Sequence, residues 1–85
     1  MMVTSNIRKV LGANVKFYRY SIGYTQEQLA EKTDLSTRYI SDIENANGNI
    51  SVDTLEIIAS ELNVEAYLLI KPQKHPELPK RVNMK

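Results

Sequence analysis

The residues of this 85-residue chain that could do chemistry are suited to hydrogen bonding rather than to bond making. Thr37, Arg38, Ser41 and Asp42 fall at helical spacing on a face that the apolar Ile40 and Ile43 leave free. Such a set suits the edges of base pairs. An arginine fork matches the O6 and N7 acceptors of guanine, and a threonine offers a methyl to thymine or a hydroxyl to a base edge. Asp42 is the odd member, because an acid there must accept from cytosine N4 or suffer repulsion from phosphates. Catalytic company is missing from the sequence. It has no cysteine and a single histidine, His75, set in a proline-flanked segment. It has no glycine-rich phosphate loop, and its acids sit at helix-surface spacing. These features point away from an enzyme, a disulfide framework, a metal site or another cofactor.

The elements that must position these residues follow from caps and periodicity. Thr25 caps a short helix with Glu27 and Gln28 in its first turn, a capping-box arrangement. Leu29 and Ala30 face inward, the helical pattern stops near Thr33-Asp34, Leu35 plugs the turn, and Ser36 caps the next helix. Two short helices joined by a tight turn hold the second at a fixed angle, which suits entry into a major groove. Upstream, a first helix is expected from about Thr4 to Tyr20, capped by Thr4, Ser5 or Asn6 and carrying Ile7, Leu11, Val15 and Tyr18 on one side. Gly12 interrupts it at a cost in helix propensity, best explained by close approach of another helix, and Gly23 ends it. Downstream of an Asn- and Gly-rich loop, Ser51 caps a fourth helix with Leu55, Ile58, Ala59 and Leu62 inward. A short fifth helix is expected from Val64 or Glu65 to Ile70.

Leu11-Gly12, Val15, Arg19, Gly23, Thr25-Gln26, Leu29-Ala30, Leu35-Ser36, Tyr39-Ile40-Ser41, Ile43-Glu44, Leu55, Ile58-Ala59 and Leu62 form an ordered set over Ile7 to Ile70. In that order and spacing the chain resembles the phage-repressor/Cro-type (XRE) helix-turn-helix family. The resemblance implies an all-α, five-helix repressor-like bundle whose second and third helices form the helix-turn-helix. It implies a structural ion pair between Arg19 and Glu44. It places DNA contacts at Gln26, Ser36, Thr37, Arg38, Tyr39, Ser41, Asp42, Asn45, Asn47 and Asn49, with Gln26, Tyr39 and the three asparagines directed at phosphates; a phosphate contact for Arg38 and a core-only role for Tyr39 are the competing readings. The loop departs from the family in lacking lysine and arginine, which implies weaker non-specific attraction. The resemblance also implies a homodimer through the fifth helix, where Tyr67, Leu68, Leu69 and Ile70 offer more apolar surface than so short a helix buries alone; the rival reading is that the tail folds back to bury them.

Net charge is +1, too little to point to nucleic acid by itself, but the charge is unevenly spread. Residues up to Tyr20 carry Arg8, Lys9, Lys16 and Arg19 without an acid, whereas 50–70 carry Asp53, Glu56, Glu61 and Glu65 without a base. Residues 71–85 contain three prolines and five bases and are expected to form an extended tail beyond a domain ending at residue 70. No apolar run approaches the roughly 20 residues of a membrane span. The first residues do not have the form of a secretory signal, so a cytoplasmic protein without membrane association is expected. The sequence thus predicts a sequence-specific transcriptional regulator acting on double-stranded DNA, of repressor, restriction–modification controller or antitoxin type. A toxin or polymerase partner is left open. The alternative is a helical protein-interaction module that has lost DNA binding.

Overall fold

The computed structural model describes residues 6–75. Five helices follow in order: α1 (Ile7–Ile22), α2 (Gln26–Thr33), α3 (Thr37–Glu44), α4 (Val52–Leu62) and α5 (Tyr67–Ile70). Thr4 and Ser5, two of the three expected caps of α1, lie outside the described residues, as does the tail beyond His75. Asn6 makes no side-chain cap, and α1 runs two residues past Tyr20 before Gly23 turns left-handed at φ 85°. The Thr25 hydroxyl accepts the Gln28 N–H while the Gln28 side chain accepts the Thr25 N–H, closing a full capping box. Asp34 at φ 61° and Asn63 at φ 63° end α2 and α4 as left-handed caps. Ser36 and Ser51 each accept from the third backbone N–H beyond them, at 3.0 Å.

The core gathers Leu11 and Val15 from α1, Leu29 and Ala30 from α2, and Ile40 and Ile43 from α3. Ile58, Ala59 and Leu62 from α4 and Leu69 from α5 complete it. Helix α1 is the mast of the fold, packing on α3, α4 and α5, while α2 braces α3 and α4. Gly12 marks where α1 crosses the end of α3. A Cβ there would stand 2.6 Å from the Ile43 carbonyl oxygen and 2.8 Å from that of Glu44, so only glycine fits this crossing without displacement. Ile7, expected on the inward side, is half exposed.

Two expectations change at the C-terminal end. Leu69 is fully buried in the chain's own core, so it is not a free dimer contact. A four-residue helix docked on α1 needs one inward anchor, and Leu69 supplies it while Tyr67 and Ile70 stay exposed. Second, residues 71–75 do not leave the domain at Ile70. The Tyr18 hydroxyl donates to Gln73 Oε1, and Gln73 Nε2 donates to the Leu68 carbonyl. The His75 ring stacks on Phe17 with centroids 3.8 Å apart and planes 7° from parallel.

Candidate nucleic-acid interface

Asn14 and Arg19, both polar and buried on α1, set the frame on which the outward face depends. Arg19 Nε donates to Glu44 Oε2 at 2.6 Å and a terminal nitrogen to Oε1 at 2.9 Å, while the other donates to the Tyr24 carbonyl at 2.8 Å. This bidentate grip joins the last turn of α1 to the last residue of α3. Gln26 Nε2 donates to the same Glu44 Oε1 at 3.1 Å, so the start of α2 is held to the end of α3 as well. Every one of these contacts is charge-assisted, and together they fix α3 in position and rotation.

With its inner face committed, α3 turns Thr37 and Arg38 to solvent and leaves Ser41 and Asp42 half-buried. Arg38 Nε faces Asp42 Oδ1 across 3.5 Å, with side chains 86% and 37% exposed. Ser36 caps the helix, and its side chain is occupied by the Tyr39 N–H. Gln26 is half-buried at the α2 N-terminus, and its bond to Glu44 uses one of its two amide hydrogens.

Tyr39, which the resemblance directs at a phosphate, makes a contact within the chain. Its hydroxyl donates to the Asn49 carbonyl at 2.9 Å and so ties the loop after α3 back to the helix. Gly48 is buried beneath that loop, where a Cβ would lie 2.7 Å from Ile43 Cγ1. The loop therefore presents Asn45, Asn47 and Asn49 to solvent from a fixed base. Asn45 reaches back to the Ser41 hydroxyl at 3.4 Å, and the Asn47 N–H bonds the Asp42 carbonyl at 2.8 Å.

Sequence reasoning missed a second brace, at the middle of α1. Asn14 Nδ2 lies within 3.0–3.1 Å of the carbonyls of Leu68, Leu69 and Lys71. Those acceptors fix the orientation of the amide, so its oxygen must accept from His75 Nε2, at 2.8 Å. The available signal was Asn14 itself, a polar residue three after Leu11 on the apolar side of α1. No group of three or more metal-ligating side chains occurs among the described residues.

A short capped helix that pins a second, whose polar face is left to solvent, defines a helix-turn-helix protein by structure. A helix-turn-helix family model matches residues 15–69. The chain belongs to that family of transcription regulators, which disfavours the interaction-module alternative. It is 42% identical over 64 residues to control protein C.BamHI of Bacillus amyloliquefaciens, covering 74% of this chain and 79% of that one. Its fold is similar to the crystal structure of the hypothetical transcription factor NHTF from Neisseria, with TM-score 0.77, 32% identity and 85% of each chain covered. It is also similar to the crystal structure of SinR, the master regulator for biofilm formation, in complex with DNA. There the TM-score is 0.68 and the identity 35%, over 72% of this chain and 98% of the other.

Proposed function

We propose that the chain is a sequence-specific regulator that binds double-stranded DNA as a homodimer on an inverted repeat. Each α3 enters a major groove, the two grooves about 34 Å apart along the duplex. The observation that carries this reading is the division of labour on α3. Ile40 and Ile43 are spent on the core and Glu44 on the Arg19 brace, while Thr37 and Arg38 are exposed and have no core role. Arg38 and Thr37 read bases; Ser41 and Asp42 sit one turn further along the groove. Gln26, Asn45, Asn47 and Asn49 approach phosphates, with Ser36 at the helix start. The dimer face includes Tyr67 and Ile70, 59% and 37% exposed, with half-buried Leu68 beside them. The similarity to control protein C.BamHI and to SinR supports action at promoters, in a bacterial cytoplasm, as repressor or controller. No helix among the described residues is long and apolar enough to cross a membrane.

Selection of bound duplexes from a random pool with the purified protein tests this reading. It predicts enrichment of an inverted repeat with half-sites one turn apart. Enrichment of no sequence by folded protein would overturn it.

A further inference from the structure

On the reading that α3 enters the major groove, Asp42 is an anomaly: an acid on a face that meets a polyanion. Its position relative to Arg38 resolves the anomaly. The carboxylate stands on the Nε side of the guanidinium, at 3.5 Å, one helical turn away. Helix α3 has no basic residue in its last turn, and the other acid of the helix, Glu44, is committed to Arg19 and Gln26. Arg38 and Asp42 are therefore each other's charge partner.

We propose that Asp42 is a specificity-determining positioning residue, which aims Arg38 end-on at a guanine and lowers the pair's attraction for DNA in general. The stereochemistry is direct. With the carboxylate on the Nε side, the two Nη groups are left to project away as a fork, the arrangement that meets O6 and N7 of guanine. A lone exposed arginine samples many rotamers and meets any phosphate within reach. Beside Asp42 its charge is offset, so it adds less to the attraction for random sequence. The ion pair is weak in water. It strengthens once the groove excludes solvent and lowers the local dielectric, so its aiming effect belongs to the bound state. Asp42 thus exchanges general affinity for discrimination.

The experiment compares wild type with Asp42→Ala, Asp42→Glu and Arg38→Ala. Equilibrium binding is measured to the selected duplex, to that duplex with 7-deazaguanine at the guanine in question, and to a random-sequence duplex, each over a salt series. The expected result is that Asp42→Ala lowers the ratio of selected to random affinity about tenfold. Its affinity for the random duplex rises, with a salt slope steeper by up to about one phosphate contact. Asp42→Glu, which still reaches the guanidinium from the same turn, restores the ratio. The 7-deaza substitution weakens wild type and leaves Asp42→Ala little changed. An unchanged ratio and slope in Asp42→Ala would overturn the proposal, as would a guanine preference that survives Arg38→Ala. Both results leave the DNA reading of α3 standing, whereas failure of wild type to select any sequence overturns that reading and this proposal together.

Discussion

Arg19 meets Glu44 through two hydrogen bonds, at 2.6 and 2.9 Å, with side chains 1% and 3% exposed. Arg38 meets Asp42 across 3.5 Å, with side chains 86% and 37% exposed. The two pairs share one chemistry and differ in solvent. Burial makes the first intolerant of change, because removing one partner strands a charge in a medium that cannot solvate it. Exposure makes the second nearly irrelevant to folding and leaves it free to act on a ligand. Both acids sit on α3, at residues 42 and 44. One helix thus carries its anchor and its reading surface two residues apart, and α1 and α2 hold the anchor so that the reading surface has a defined direction.

That contrast can be broken most sharply at the anchor. Glu44→Ala leaves Arg19 buried with the Tyr24 carbonyl as its remaining hydrogen-bond acceptor, and releases Gln26 as well. A loss of about 3–5 kcal/mol is expected in chemical denaturation, a large share of the stability of so small a domain. A loss below about 1 kcal/mol would place the anchor elsewhere. Asn14→Ala probes the second brace, stranding the Leu69 and Lys71 carbonyls, while Gln73 still serves that of Leu68, and freeing His75. A loss of about 1–3 kcal/mol is expected, with faster amide exchange confined to residues 67–75. Exchange that quickens evenly over all five helices would show that the strap is not a separate unit. Arg38→Ala sharpens the comparison from the other side. Stability should move by less than about 0.5 kcal/mol, while discrimination for the selected duplex falls by about 1–3 kcal/mol.

Much of the scaffold was legible because its signals are local. Thr25, Ser36 and Ser51 announce helix starts within three residues of themselves, and the crossing at Gly12 was implied by a glycine inside a strong helical pattern. The Arg19–Glu44 pair spans 25 residues, a separation that no local pattern encodes, and entered through family resemblance. At Tyr39 the resemblance is silent on the contact made within the chain. The ring position follows from helical spacing, but the partner of the hydroxyl depends on how the following loop folds back. Leu69 was misplaced because four residues are too few for periodicity to say which faces inward. The strap at 71–75 was only the rival reading of the sequence, for a different reason. Its proline and two lysines have the composition of a solvated tail, and its order comes from Asn14, Phe17 and Tyr18, more than fifty residues earlier.

The structure of the protein bound to its selected duplex tests the central claim most directly. The account predicts α3 in the major groove with the Nη fork of Arg38 on a guanine, Asp42 still on the Nε side, and the Arg19–Glu44 bonds unchanged from the free protein. A complex in which α3 lies outside the groove, or in which Arg38 contacts phosphate while other residues read the bases, would contradict it.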